Sequence, residues 1–197
     1  MKKLVTIMLV LVMVFGATSA FADSHNTSAM KKGDFEVKAG VDFGGNIKAD
    51  ILGISSEDST KIGFSIIGEY IIPSSNNLSY GAGLEFPLGG READVTNATS
   101  FNFIPFYGLA RYNMQNNFYL TGKLGYNTFS FDNTPSDVDV NGGMYYGIGA
   151  GMKVKDNVSF ELLYSVSNGS IEATSGTQTV TSDMTYSRIG LSVGTTF

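Results

Sequence analysis

The chain ends in Tyr186-Ser-Arg-Ile-Gly-Leu-Ser-Val-Gly-Thr-Thr-Phe197, a stretch in which two kinds of residue alternate. Counting back from Phe197, every second residue as far as Ile189 is apolar or threonine. The residues between them are small or polar, and one of them is Arg188. A period of two residues is that of a β-strand, because successive side chains point to opposite faces. The stretch therefore predicts a strand with one apolar face and one small or polar face.

Seven other stretches have the same period, so we predict eight strands in all. The predicted strands are residues 35–43, 61–72, 78–86, 101–112, 118–126, 143–154, 158–166 and 186–197. Short, mostly Asn-rich connections alternate with long polar ones, which are residues 51–60, 87–99, 132–142 and 168–183. Tight turns between consecutive strands are typical of an antiparallel meander.

The two faces of these strands differ in charge. Outside residues 101–112, the apolar face carries no charged residue, whereas the other face is rich in glycine and carries five acids and five bases. These are Glu36, Lys38, Asp42, Lys61, Glu69, Glu85, Lys123, Lys153, Glu161 and Arg188. Small residues beside long charged ones suit a cramped interior, where an unpaired charge would cost several kcal/mol. We therefore predict a structural network of ion pairs inside a barrel, with the apolar face turned to lipid.

Residues 101–112 are ambiguous, because both faces of this predicted strand contain apolar side chains. We expect Phe101, Phe103, Tyr107 and Leu109 to face lipid. Arg111 would then lie at the membrane edge, with its stem along the lipid and its guanidinium group in water.

The N-terminus has the pattern of an export signal. Lys2 and Lys3 precede an apolar run from Leu4 to Phe15, and small residues follow as far as Ala22. The run is too short to span a bilayer, which needs about 20 residues. We predict a signal peptide at residues 1–22 that is cleaved after Ala22, a periplasmic arm at residues 23–32 and a transmembrane barrel at residues 33–197.

Loss of the signal peptide would remove two lysines and no acid, and would change the net charge from −5 to −7. No basic patch remains to bind nucleic acid. An exported chain without helical spans is either soluble in the periplasm or a barrel in the outer membrane. Strands of about ten residues match the 9–11 that cross a bilayer when tilted. We therefore predict an all-β fold, an eight-stranded antiparallel transmembrane β-barrel with up-and-down topology.

On the alternating strands, the short turns and the terminal Phe197, the chain resembles the outer membrane protein beta-barrel domain family, the OmpA/OmpX-like and opacity-type barrels. The resemblance covers residues 33–197. It implies a Gram-negative outer membrane, contact with membrane lipid and lipopolysaccharide, and a monomer with external loops. It also implies that periplasmic chaperones and the barrel-assembly machinery handle the chain. The assembly signal would comprise Tyr186, Ile189, Leu191, Val193, Thr195 and Phe197.

Three functions remain open at this point. The leading one is a non-enzymatic outer-membrane barrel with surface-exposed loops, which serves envelope structure or surface interaction and adhesion. The second is a small or gated pore, and the third is an envelope lipid hydrolase, for which His25 is the only histidine that could act as the base. We expect no cofactor. The stretch Asp137-Val-Asp139-Val-Asn141-Gly142 copies half of a calcium loop, but its twelfth position is Ile148 instead of glutamate.

Overall fold

The structure is a computed structural model that describes residues 33–51, 53–74, 77–94, 100–131, 138–155, 157–175 and 178–197. The predicted signal peptide, its cleavage site and the arm with His25 lie outside the described residues. Lys31–Phe197 form one compact unit. Within the described ranges, no helix has the length and apolarity needed to span a membrane.

Nine strands and one short 3₁₀ turn, Gln115–Asn117, make up the described chain. The strands are β1 Asp34–Ile51, β2 Ile54–Ser59, β3 Gly63–Pro73, β4 Leu78–Pro87, β5 Phe101–Asn113, β6 Phe118–Phe131, β7 Val138–Lys155, β8 Val158–Ser175 and β9 Gln178–Thr196.

The strands form one antiparallel sheet that closes on itself. Each strand from β3 to β9 pairs with the next one in sequence, and β1 pairs with both β3 and β9. β2 and β3 occupy a single position, because Ser59 of β2 faces Asn46 and Gly63 of β3 faces Asp42 in the same register along β1. The break at residues 60–62 therefore interrupts one strand of an eight-stranded meander, and the predicted fold is confirmed.

Two of the predicted long loops, residues 51–60 and 168–183, are largely strand. Residues 168–183 continue the β8–β9 ladder as far as the pair Ser175 and Gln178, and residues 54–59 form β2. Sequence periodicity missed these extensions because their inward positions include polar or small residues, so the alternation fades. We call the end of the barrel that carries these extensions the loop end. The opposite end, which carries the short connections at residues 74–77, 114–117 and 156–157, is the turn end.

The apolar face of the strands points outward, as predicted. Leu124, Ile148 and Leu162 are 61%, 70% and 51% exposed, although they lie in the middle of paired strands. An apolar surface of this extent is typical of contact with a membrane and is rare on a soluble monomer. The inward face carries the polar and charged side chains.

β5 is turned the other way from our prediction. Phe101, Phe103, Tyr107 and Leu109 are at most 5% exposed and point inward, and so does Arg111. The outward side chains are those between them, including Phe106 and Tyr112. The physical reason is the charge on Arg111, which finds carboxylates in the interior and would find none in lipid.

Candidate functional site in the barrel interior

Ten charged side chains of the described residues are buried, five acids and five bases. They are Glu36, Lys38, Asp42, Glu69, Glu85, Arg91, Arg111, Lys123, Glu161 and Arg188. The structure thus places eight of the predicted interior charges inside the barrel. The other two bases, Arg91 and Arg111, are not the ones that we predicted.

Lys61 and Lys153 lie outside this network, which corrects the prediction. Lys61 lies in the break between β2 and β3, where the side chain leaves the inward face, is 54% exposed and pairs with Glu92 at 2.8 Å. Lys153 is exposed close to the turn end, next to a register shift between β7 and β8.

Six of the ten charges form a central ion cluster. It comprises three carboxylates and three cations, namely Glu36, Glu69, Glu161, Lys38, Arg111 and Lys123. Lys123 Nζ lies 2.7 Å from both Glu69 Oε1 and Glu161 Oε1. Lys38 Nζ lies 2.8 Å from Glu69 Oε2 and 2.7 Å from Glu161 Oε2. Each charge thus has more than one partner of opposite sign.

Tyrosines complete the central ion cluster. Tyr107 OH donates to Glu69 Oε1 at 2.9 Å, and Tyr119 OH donates to Glu161 Oε2 at 3.2 Å. The Arg111 guanidinium also lies 4.1 Å from the centre of the Tyr119 ring. Because these partners come from β1, β3, β5, β6 and β8, the cluster ties opposite walls of the barrel together.

The remaining four charges form a second group, the loop-side ion cluster, which comprises Asp42, Glu85, Arg91 and Arg188. Arg188 Nη2 lies 2.7 Å from Glu85 Oε2, and Nη1 lies 3.2 Å from Asp42 Oδ2. Arg91 pairs with Asp42 and also donates to the carbonyl oxygen of Phe64 at 2.9 Å. This group is neutral, as is the central ion cluster.

Among the described residues, Arg91 is the one buried charge that comes from a connection between strands. It follows β4, and its guanidinium packs against Gly63, where a Cβ atom would overlap it. Periodicity could not find this residue, because a residue outside a strand has no predicted face. The only signal was an arginine in a connection of otherwise acidic charge.

An apolar group fills the interior at the loop end. This aromatic cap comprises Ile47, Phe101, Phe103, Phe129, Met184 and Tyr186. The rings of Phe103 and Phe129 are stacked with centroids 4.3 Å apart, and Phe101 meets Tyr186 edge to face at 5.3 Å. The described interior therefore changes from ionic to apolar towards the loop end.

A cavity of about 10 Å³ lies beside Asp42, Ser65, Glu85 and Arg188, and this is room for about one water molecule. The buried Ser65 hydroxyl lines this cavity and has no protein hydrogen-bond partner. A single water there would satisfy the hydroxyl.

The C-terminal residues close the barrel. Ile189, Leu191 and Val193 face outward in β9, whereas Tyr186 belongs to the aromatic cap. The amide of Phe197 donates to the carbonyl oxygen of Phe35 at 2.8 Å. Thr195 pairs with Val37 in the seam between β1 and β9. A role of these residues as an assembly signal stays a prediction.

Two exposed ion pairs of the described residues lie at the loop end, Lys48 with Asp50 in β1 and Lys61 with Glu92 outside the strands. The Lys61 ammonium donates to Glu92, which lowers the pKa of the Glu92 carboxyl and raises the pKa of Lys61. Glu92 and its neighbours also pair with the chain at the break between β2 and β3, through Lys61 N to Glu92 O at 3.0 Å. The connection after β4 is thus attached to the adjacent strand position.

Comparisons with known proteins agree with this architecture. Residues 8–197 match the profile of the family described as "Outer membrane protein beta-barrel domain". A search of curated proteins found no match. Among solved structures, Ail of Yersinia pestis in complex with the heparin analogue sucrose octasulfate is 15% identical with a TM-score of 0.52, and the match covers 84% of this chain and 99% of Ail.

Two other similar structures have lower TM-scores. Neisserial surface protein A is 19% identical over 83% of this chain and 97% of its own, with a TM-score of 0.47. OprG of Pseudomonas aeruginosa is 15% identical over 87% and 99%, with a TM-score of 0.46. The family match covers nearly the whole chain, so this protein belongs to the outer membrane protein beta-barrel domain family.

Proposed function

We propose that this protein is a non-enzymatic outer-membrane barrel that serves as a rigid scaffold for its loop end, in envelope structure or in binding to a surface partner. The observation that carries the proposal is the filled interior. Two neutral ion clusters and the aromatic cap occupy the interior among the described side chains. Eight-stranded barrels are in general only wide enough to be filled by their own side chains.

The test compares conductance with stability. Glu161→Gln removes one charge from the central ion cluster and keeps the shape of the side chain. If the cluster only stabilises and closes the interior, the variant has a lower thermal stability and conducts no ions in planar bilayers. A matched control is Glu57→Gln, which changes an exposed acid in β2. Ion conductance through the wild-type protein would contradict the scaffold proposal.

A gated pore is the second candidate, and the multiple partners of each interior charge favour it. A cation such as Lys123, which already contacts two carboxylates, could exchange partners without losing all of its pairing. In that case Glu161→Gln or Lys123→Met would raise single-channel conductance. The two candidates are therefore separated by the same measurement.

The surface partner that we propose is not polyanionic. The outward positions in the strands at the loop end include Asp50, Glu57, Asp139 and Asp183 and one base, Lys48, which pairs with Asp50; Glu92 lies in the connection after β4 and pairs with Lys61. Ail binds a heparin analogue in its solved structure. For this chain we expect no binding of a sulfated glycan, because acidic side chains repel it. Binding of heparin-coated beads in physiological salt would contradict this.

Several further parts of the proposal concern biogenesis and setting. We propose that residues 1–22 are cleaved on export, that periplasmic chaperones and the barrel-assembly machinery insert the chain as a monomer, and that lipid and lipopolysaccharide surround it. Loop deletion at residues 54–59 or 88–94, followed by assays of binding and solute uptake, tests which role the loop end has. A hydrolase stays the weakest candidate, and lipid hydrolysis that depends on His25 would be its signature.

A further inference from the structure

The segment after β4 is attached to the barrel differently from the other connections. The ladder between β4 and β5 ends at the pair Leu84 and Phe106 and resumes only as a single bridge between Arg91 and Phe101. Pro105 lies in the interrupted part and has no N–H to donate. Leu88 is still bonded to β3, because its amide donates to the carbonyl oxygen of Phe64 at 2.8 Å, and residues 89–90 then carry the chain to the bridge at Arg91.

Residues 91–94 return to the wall beside the break between β2 and β3. Arg91 N donates to Phe101 O at 2.7 Å, Lys61 N to Glu92 O at 3.0 Å, and Asp94 N to Ser59 O at 2.7 Å. The side-chain pair of Lys61 and Glu92 is about half exposed on both partners and adds little, because solvent screens it. Phe101 N also donates to Arg91 O at 2.8 Å, and Ala93 packs against the aromatic cap.

The strong contact of this segment is inside the barrel. Arg91 is 3% exposed, and its guanidinium reaches Asp42 and the carbonyl oxygen of Phe64. Gly63 leaves the space that the guanidinium occupies. If the segment moved away, Asp42 and Glu85 would keep Arg188 alone, and the loop-side ion cluster would carry one uncompensated negative charge beside the small cavity.

We propose that residues 88–94 form a latch whose closed state depends on the buried pair of Arg91 and Asp42, and which opens without unfolding the barrel. The pairing couples the shape of the loop end to the charge of the interior. An external partner that draws the segment outward has to break this pair, and the open state presents a negative interior site to cations. The inference does not depend on which partner the loop end binds.

The test is amide hydrogen exchange on the full chain in lipid nanodiscs. Asp42→Asn is nearly isosteric and lies far from the segment in sequence. We expect it to speed exchange at the amides of Lys61, Arg91 and Asp94 by about tenfold or more, because a buried charge-assisted pair is lost. Arg91→Gln should have the same effect, and the double variant should add nothing to either single one.

Two controls keep the test specific. Lys61→Gln removes the exposed ion pair of the same segment and should change these amides by less than about threefold. The chain has no cysteine, so Lys61→Cys with Glu92→Cys can be oxidised to a single disulfide that ties the segment down. In that background Asp42→Asn should no longer speed exchange.

Two results would overturn the latch. One is exchange at the three amides within about threefold of wild type in both Asp42→Asn and Arg91→Gln. The other is an equal rise across the β8–β9 ladder, which would mean that the whole barrel loosens. If Asp42→Asn does not fold, Arg91→Gln with and without the disulfide gives the same comparison.

Discussion

Arg111 contacts three carboxylates at the centre of the barrel. Its Nη2 atom lies 3.0 Å from Glu36, 3.2 Å from Glu69 and 3.5 Å from Glu161. The interior supplies these partners for its charge, whereas the lipid side of β5 supplies none. The position of one guanidinium thus decides which face of β5 points inward.

We predict that Arg111→Ala lowers the free energy of unfolding by about 3–5 kcal/mol, because buried carboxylates lose a partner. The matched control is Lys153→Ala, since this lysine is exposed near the turn end, and its effect should stay within about 0.5 kcal/mol. Urea titrations of the refolded protein in lipid vesicles, followed by gel mobility, measure both. Similar small effects for the two variants would place Arg111 outside the cluster.

Glu92 gives a prediction about pH. Lys61 lowers the pKa of this carboxyl, so the pair stabilises the closed segment above the carboxyl's usual pKa of about 4.3 and is lost as the pH falls through the lowered value. The midpoint of the Glu92 carboxyl carbon in an NMR titration should therefore be lower in wild type than in Lys61→Gln. An equal midpoint in both proteins would show that the pair does not form in solution.

At the scale of strands, the seam between β1 and β9 depends on small residues. Lys38 extends from β1 across Gly194 of β9 to reach Glu161 of β8, and a Cβ atom at Gly194 would lie 2.6 Å from Lys38 Cγ. The glycines of the last strand therefore leave room for charged side chains of the first one. This is a packing reason for the small residues that alternate in the C-terminal stretch.

We predict that Gly194→Ala lowers the free energy of unfolding by about 1–3 kcal/mol, because the Lys38 stem must move. Gly122→Ala in β6 is the control, since a Cβ atom there would meet nothing within 4 Å. Its effect should be at most about 1 kcal/mol in either direction. If both substitutions are equally mild, Gly194 does not control the seam.

The sequence predicts the strands and most of the interior side chains. On seven strands the position of the charges and the apolar alternation indicate the same inward face. On β5 they disagree, since apolar side chains occupy both faces and the interior at the loop end is itself apolar. The number of apolar residues then favoured the wrong face of β5 as the lipid-facing one, although the charge of Arg111 indicated that its face points inward. Lys61 was assigned to the wrong face, because the break between β2 and β3 ends the alternation just before Gly63. Arg91 could not be assigned, because it lies outside the strands.

For the whole molecule, the outward apolar surface is the feature that requires a membrane. We predict that Ile148→Lys, in the middle of β7, lowers the free energy of unfolding in bilayers by about 2–4 kcal/mol. Val180→Lys near the tip of the β8–β9 hairpin should have little effect, because that position lies beyond the lipid. Unfolding titrations in lipid vesicles measure the free energy of unfolding of both variants. An equal loss in the two would contradict the placement of the hydrocarbon region around the middle of β7.

The buried charges are divided unequally between the two halves of the chain. The part up to Arg91 contributes four acids and two bases, whereas the part from Arg111 onward contributes three bases and one acid. Fragments divided between β4 and β5 would thus carry opposite interior charge. The two different fragments would attract each other, and two copies of the same fragment would repel each other. When both fragments are refolded together, we expect the N-terminal fragment to associate with the C-terminal one in preference to a second copy of itself.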